Sequence, residues 1–307
     1  MKTEIEITYY PSVSVAMATY NGEQYLEEQL DSILNQTIKP AEIIVCDDGS
    51  TDSTRVILEK YQKKGHIVFF VNDKRLGFVG NFKRAVSLTN PHNYVALSDQ
   101  DDVWLPAKIE AAINLMIKIE INEKPAMVYS DLMLVDQDKN LLNASFRNEL
   151  CEDAYRHCLE TLLFGGFVNG CTMLMNPLMR NYFASIPDRV GINHDTWITF
   201  IAYTFGQAGI VDKAHILYRK HINNASEVHH FKRKNRFQKL KAEVLNAFSK
   251  NDLFKNEIIT AEEFYSTFHQ KLSIEEKVLI KQFLKIKGKT YFEKKITLRR
   301  FFKNNWI

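Results

Sequence analysis

Four short apolar runs, Val13–Ala18, Glu42–Cys46, Ile67–Val71 and Tyr94–Leu97, are rich in β-branched residues, and each stops at a polar cluster. Runs of this kind read as strands buried on both faces. Between them, Glu23–Leu34 and Ser53–Lys63 space apolar residues three and four apart, and Phe78–Leu88 does so less cleanly. That is the period of crossover helices. Strand, helix and strand in regular succession predict an open α/β sheet, whose ligands bind beyond the carboxyl ends of the strands. The polar clusters therefore mark the expected site.

A chain of 307 residues carries one large catalytic domain with an appendage, or two domains. Its 45% hydrophobic and 25% charged residues exclude disordered, collagen-like and low-complexity classes. The apolar run Val15–Ala18 is far short of the roughly 20 residues of a bilayer crossing. Lys2, Glu4 and Glu6 do not fit a signal peptide, so a cytoplasmic protein is expected. Cys46, Cys151, Cys158 and Cys171 form no C-x-x-C pair, which points to reduced thiols rather than a zinc site or a disulfide framework. The net charge of +3 hides an asymmetry: from Phe231 onward 19 Lys/Arg face 8 Asp/Glu, or +11, leaving −8 on residues 1–230. After Ala225 the texture turns to long, Lys-rich segments of helical period, and a boundary is expected there.

Met127–Tyr129 and Met133–Val135 read as further strands, with Asp136–Asn140 as a turn. That turn mimics the opening of a calcium loop, but Leu141 stands where the loop needs Gly and Arg147 where it needs Glu. A hairpin turn is the expectation.

Three acidic clusters carry the chemistry: Asp47-Asp48-Gly49-Ser50, Asp99-Gln100-Asp101-Asp102 and His194-Asp195. Carboxylates crowded at strand ends repel one another unless a cation is shared. Asp99 and Asp101, two apart on an extended segment, aim the same way, as a divalent ion beside phosphates requires. Magnesium or manganese suits all-oxygen ligation. The residues equally allow a plainer role, in which acids at strand ends cap the next helix, as Asp102 would near Pro106. Thr19-Tyr20-Asn21-Gly22 and the Asp47–Asp52 cluster offer hydroxyl, amide, ring and carboxylate groups suited to a nucleoside. Neither G-x-G-x-x-G nor G-x-x-x-x-G-K-[ST] occurs, which weighs against a dinucleotide-binding enzyme and a P-loop ATPase.

Val13–Asn21, Asp47–Asp52, Leu97–Trp104, Gly170-Cys171-Thr172, His194-Asp195 and Tyr218–Asn224 occur in the order expected of family 2 glycosyltransferases. Over about residues 10–225 the chain resembles that family, and more narrowly its bacterial rhamnosyltransferase-like branch. The resemblance implies a GT-A (Rossmann-like) α/β fold, a nucleotide-diphospho-sugar donor such as a dTDP- or UDP-sugar, a divalent metal, Mn²⁺ or Mg²⁺, and inversion at the anomeric carbon. By the same likeness Thr19, Tyr20 and Asp48 are nucleoside contacts, with Arg75 and Asn81 weaker candidates. Asp99 and Asp101 form the metal-diphosphate motif, and His221 approaches the metal or diphosphate. Asp195 matches the general base. His194-Asp195-Thr196-Trp197 departs from the His-Asp-Trp-Trp of the rhamnosyltransferase-like branch. Residues 1–225 then form the catalytic domain, with a nucleotide half of about 1–100 and an acceptor half of about 101–225, and 226–307 form a basic, mainly helical extension.

Plainer readings stand beside several residues. His194 either orients the base or packs within the fold, and the structural role is favoured. His221 is evenly balanced. Gly165-Gly166 and Gly170 allow a close backbone approach or a turn. The N-x-[ST] sequons at Asn35, Asn143 and Asn224 have no role in a cytosolic chain. Residues 294–307 combine Lys294, Lys295, Arg299, Arg300 and Lys303 with Ile296, Phe301, Phe302 and Trp306. As a helix this tail either lies on an anionic membrane or packs on its own domain or a second subunit as a homodimer contact. No nucleic-acid motif accompanies the charge, so no nucleic acid is expected.

The function expected is transfer of a sugar, rhamnose from dTDP-rhamnose, to a cell-surface polysaccharide or lipid-linked acceptor. The rivals are a sugar nucleotidyltransferase, which would need a Gly-rich basic first loop where Met17–Asn21 stands, and a non-catalytic scaffold, which would need none of these acids.

Overall fold

A computed structural model describes residues 10–150, 156–221 and 253–305; for 149–150 and 302–305 it gives the backbone path alone. Cys151, Asn223, Asn224, the stretch 226–252 and Trp306 lie outside the described residues.

The chain runs β1 (Val13–Thr19), α1 (Leu26–Leu34), β2 (Glu42–Asp47), α2 (Thr54–Lys63), β3 (Val68–Val71), α3 (Gly77–Leu88), β4 (Tyr94–Ser98), β5 (Val103–Trp104) and α4 (Lys108–Ile119). It continues through β6 (Ala126–Ser130), β7 (Met133–Val135), β8 (Leu141–Asn143), α5 (Phe146–Leu150), α6 (Leu159–Leu162), β9 (Leu174–Met175), α7 (Pro177–Arg180) and α8 (His194–Phe205). The remaining described elements are β10 (Gln207–Val211), β11 (Ile216–Arg219), α9 (Lys255–Phe268), α10 (Ile274–Leu284) and α11 (Tyr291–Asn305). The four expected strands and three crossover helices form within a few residues of their expected ends. The Asp136–Asn140 segment is a turn: Asp136 Oδ1 accepts from the backbone N–H groups of Asp138 at 3.0 Å and Asn140 at 2.8 Å. The expected hairpin turn between β7 and β8 is thus closed by the Asp136 carboxylate itself.

Seven strands form one sheet in the order β10-β6-β9-β4-β1-β2-β3, parallel except for β9, which runs against β4 and β6. A four-stranded sheet, β5-β11-β7-β8, stands beside it. Successive strand residues face opposite sides. Val15 and Met17 join α1, α2 and α4 in one apolar cluster, whereas Ala16, Val95 and Leu97 join α3 and α8 in the other. Burial on both faces explains why the strands read as unbroken apolar runs. The chain leaves β1 toward β2 and β3, then returns to the other side of β1 as β4, so a switch in strand order lies between β1 and β4. A crevice at the carboxyl ends of such strands is where open α/β sheets bind ligands. Thr19, Asp47 and Ser98 end β1, β2 and β4 there.

The helices α9 and α10 share the second apolar cluster with α8. Phe264 is fully buried, with ring centroids 5.5 Å from Trp197, 5.1 Å from Phe200 and 5.0 Å from Phe268. On α11, the Lys294 ammonium is buried and donates to the Leu253 carbonyl at 3.0 Å, Leu298 packs on the cluster, and the Phe301 ring lies 4.6 Å from that of Phe164. Packing on its own protein, one of two readings of the tail, is thus seen for this stripe of α11. Lys294 and Phe301 face inward rather than forming the cationic and apolar sides of a free helix.

Truncating Phe264 leaves a cavity against α8, so Phe264→Ala is expected to cost about 3–5 kcal/mol. Chemical denaturation should show the whole chain losing stability in one transition. Two transitions, with only the earlier one moved, would mean that the C-terminal helices fold apart from the sheet.

Candidate active site

Side chains tie the loops after β1 and β2 together. The Thr19 hydroxyl donates to Asp47 Oδ1 at 3.1 Å, and Asp47 also accepts from the Ser50 N–H at 2.9 Å, the Ser50 hydroxyl and Arg55 Nε at 3.2 Å. Asn21 has a φ of +49°, and its side-chain oxygen accepts from the Thr51 N–H at 2.8 Å. Asn is among the few side chains that tolerate such a backbone.

Gln100, between the two acids of the metal motif, is wedged under this loop. Its oxygen accepts from the Tyr20 N–H at 2.9 Å and its amide donates to the Tyr20 carbonyl at 3.0 Å. A Cβ on Gly22 would stand 2.2 Å from that oxygen, so the close approach requires glycine. The Arg75 guanidinium sits 3.9 Å from the Tyr20 ring centroid, a cation–π contact that brings together two residues named from sequence.

Asp48 and Asn81 are placed as braces. Asp48 is buried and accepts from Asn72 Nδ2 at 2.8 Å, the Leu76 N–H at 2.7 Å and the Gly77 N–H at 2.8 Å. It thereby caps α3, whose own N-terminal residue offers no side-chain cap. Buried Asn81 donates to the Cys46 carbonyl at 2.8 Å and accepts from Asn72 at 2.9 Å. These bonds fix the loop that carries Arg75.

Beyond β4 the charges crowd. Burial raises the Asp99 carboxyl to about 7, and the charges of Asp101 and Asp195 push it the same way. Asp195, on the first turn of α8, therefore lies within electrostatic reach of Asp99 although 96 residues separate them in sequence. One Asp195 oxygen accepts from the Thr196 N–H at 2.6 Å. His221 Nε2 lies 2.8 Å from Asp101 Oδ2.

Asp102 does not cap a helix. It is fully buried, and neither oxygen meets a conventional hydrogen-bond partner; the Cys171 thiol, a weak donor, is the group it faces. Burial, then Asp101 and Asp99, hold its carboxyl well above the usual range. Potential ligand atoms of Asp99, Asp102 and Cys171 lie within 4.8 Å of one another. Lys108 is buried nearby with its ammonium 3.6 Å from the Trp104 ring centroid, and burial lowers it to about 8.

These observations test whether a divalent cation fits. Oxygen donors dominate, burial and the neighbouring carboxylates raise the Asp99 carboxyl, and the Asp102 oxygens face only the weak thiol donor of Cys171. The grouped ligand atoms of Asp99 and Asp102 are oxygens of the kind a hard divalent ion takes, while the Cys171 thiol beside them is not.

Arg219 organises the other side. Almost fully buried on β11, it donates from Nε to the Asp101 carbonyl at 3.1 Å, from one amino group to the Gln137 carbonyl at 2.6 Å, and from the other to Glu28 at 2.5 Å. Its guanidinium lies 4.6 Å from the Tyr25 ring centroid, and the His221 ring centroid lies 5.0 Å from the same ring.

His194 packs rather than bonds. Its buried ring centroid lies 4.5 Å from that of Phe82, neither nitrogen has a hydrogen-bond partner, and burial lowers its pKa. A Cβ on Gly170 would come within 2.7 Å of His194 Nε2. Gly170 therefore serves a close approach, to a side chain.

Comparison with known proteins gives a consistent picture. The family model described as glycosyl transferase family 2 matches residues 14–183. A glycosyltransferase of Rickettsia typhi is 30% identical over 202 residues, 63% of this chain and 60% of that protein, so the match spans about three-fifths of that relative's length. The dTDP-rhamnosyl transferase RfbG of Shigella flexneri is 30% identical over 220 residues, covering 68% of this chain and 72% of RfbG. Among solved structures, residues 1–349 of S. aureus TarS in complex with UDP-GlcNAc superpose with a TM-score of 0.55 at 19% identity, covering 89% of this chain and 79% of that one. That likeness is one of GT-A fold.

Asp99 titrates near 7 when folded but near 4 when unfolded, so the native state holds the extra proton between those values. Stability contributed at low pH is lost as pH rises through about 7. Asp99→Asn should therefore stabilise the metal-free protein at pH 8 by about 1 kcal/mol or more, raising its melting temperature by roughly 2–4 °C, with little change at pH 4. An equal shift at both pH values would mean that charge repulsion is not the cause.

Proposed function

The chain belongs to glycosyl transferase family 2, and on that premise we propose that it is a glycosyltransferase of polysaccharide synthesis that transfers a sugar from a nucleoside-diphosphate donor with inversion, aided by Mn²⁺ or Mg²⁺. The observation that carries this reading is the gathering of Asp99, Asp101 and Asp195 beside the switch in strand order. Tyr20 and Arg75 make a flat, cationic face suited to a base and its phosphates, with buried Thr19 tied to Asp47 beneath the loop and Asp48 and Asn81 fixing the loop of Arg75.

Asp99, Asp101 and His221 are the proposed holders of the cation. When bound there, it supplies positive charge against the negative charge of the departing diphosphate. Asp195 accepts the proton of an acceptor hydroxyl as that oxygen bonds to the anomeric carbon and the bond to the diphosphate breaks. A positioned base of this kind is typically worth about 10²–10⁴ in rate. Its location on the first turn of α8, held by the Thr196 N–H, leaves the second carboxylate oxygen for this task.

The donor is read as dTDP-rhamnose, from the likeness to RfbG, with a UDP-sugar as the competing donor from TarS. The acceptor is read as a saccharide or lipid-linked saccharide, met in the cytoplasm at the inner face of the membrane. Among the described residues no helix is long and apolar enough to cross a membrane.

Incubation with dTDP-, UDP- and GDP-sugars, each with Mn²⁺ or Mg²⁺, should release nucleoside diphosphate, fastest from dTDP-rhamnose with acceptor. Release of pyrophosphate would point to nucleotidyl transfer instead. Asp195→Asn should lower transfer by at least about 100-fold with donor affinity kept. Loss of donor binding with transfer per bound donor retained would remove Asp195 from the role of base.

A further inference from the structure

The outward face of α11 carries an arrangement that the catalytic reading does not use. Lys294, Leu298 and Phe301 point into the protein. On the opposite side Phe292 is 57% and Ile296 48% exposed, one helical turn apart, and Arg299 and Arg300 follow, both exposed. Among the described residues neither arginine has a carboxylate partner. The preceding helix repeats the apolar pair: Ile274 is 81% and Val278 48% exposed, and exposed Lys285, at the C-cap of α10, lies on the same stripe about two turns beyond Val278. From Lys281 to Arg300 eight Lys/Arg accompany a single acid, Glu293.

We propose that the exposed face of α11, with Phe292, Ile296, Arg299 and Arg300, docks the enzyme on an anionic lipid surface. What sets this face apart is the company of its apolar pair: two arginines follow Phe292 and Ile296 on the same side, whereas the core of a protein interface of ordinary composition is depleted in charge. Apolar residues beside arginines instead match the boundary between acyl chains and anionic headgroups. The charge of the chain supports the same occupant: residues 1–230 carry −8 and the end from Phe231 carries +11, so an anionic surface attracts one end and repels the other. Because Lys294 and Phe301 anchor the helix to the core, the docked enzyme is held in one orientation rather than by a loose tail. The inference rests on the proposed function only for its purpose, a lipid-linked acceptor presented at a membrane.

The test measures binding without donor or acceptor, so its failure is distinct from failure of the transfer reading. The full chain is sedimented with vesicles of phosphatidylcholine alone or mixed with phosphatidylglycerol. Binding is expected only to the mixture, and weakened by 0.5 M salt. Each basic residue near such a surface adds about fivefold in partitioning, so Arg299→Glu with Arg300→Glu should lower it by at least about 25-fold. Phe292→Ser with Ile296→Ser should also weaken it, with the melting temperature and nucleoside diphosphate release in solution unchanged for both pairs. Vesicle binding that both pairs leave intact, or none at all, overturns the proposal. So does a dimer in light scattering that the Phe292/Ile296 variant dissociates, because the face would then meet a second copy.

Discussion

Three carboxylates from two distant parts of the chain lie within electrostatic reach of one another, and burial with the charges of Asp101 and Asp195 raises the Asp99 carboxyl to about 7. Left alone, such groups would move apart or take up protons. They stay because the backbone that bears them is fixed by bonds that do not depend on their charge. Gln100 pairs with the Tyr20 main chain, and Arg219 donates to the Asp101 carbonyl rather than to its carboxylate. The Asp101 carboxylate thus remains available to His221 and to an incoming cation.

The same logic links the two halves of the site. Gln100 joins the loop after β1, with Tyr20 against Arg75, to the acids after β4. Arg219 joins those acids to α1 through Glu28 and to the β7–β8 turn through Gln137. A base seated on one loop and a diphosphate on the other would be held at a spacing that the Gln100 amide sets. Preorganised charge of this kind acts without reorganisation when negative charge develops on a leaving group.

Much of this was legible in the sequence, for physical reasons. Strands buried on both faces must be apolar throughout, so β1, β2 and β4 declared themselves, and their ends located Thr19, Asp48 and Asp99. The resemblance to family 2 glycosyltransferases is what singles out Asp99, Asp101, Asp195 and His221; the fold sets His221 beside Asp101 and Asp195 within electrostatic reach of Asp99. The braces were hidden because their partners are distant in sequence: Glu28 and Arg219 are 191 residues apart, and nothing local marks Arg219 as buried. Nothing local in the sequence marks Gln100 as a brace of the loop after β1, and Asp102 reads as a helix cap. Asp48 and Asn81, read as nucleoside contacts, spend most of their visible bonds on the loop around α3. Lys294 could not be told from its exposed neighbours without knowing which side of α11 meets the core.

Asp99, Asp101 and His221 are proposed to hold a divalent cation against the diphosphate of the donor. Phosphorus relaxation of a bound nucleoside diphosphate, recorded while Mn²⁺ is added, tests it most directly. Strong broadening of both phosphorus signals at one Mn²⁺ per chain, lost when Asp101 is changed to Asn, is the result expected. Tight binding of the nucleotide with phosphorus signals indifferent to Mn²⁺ would contradict it.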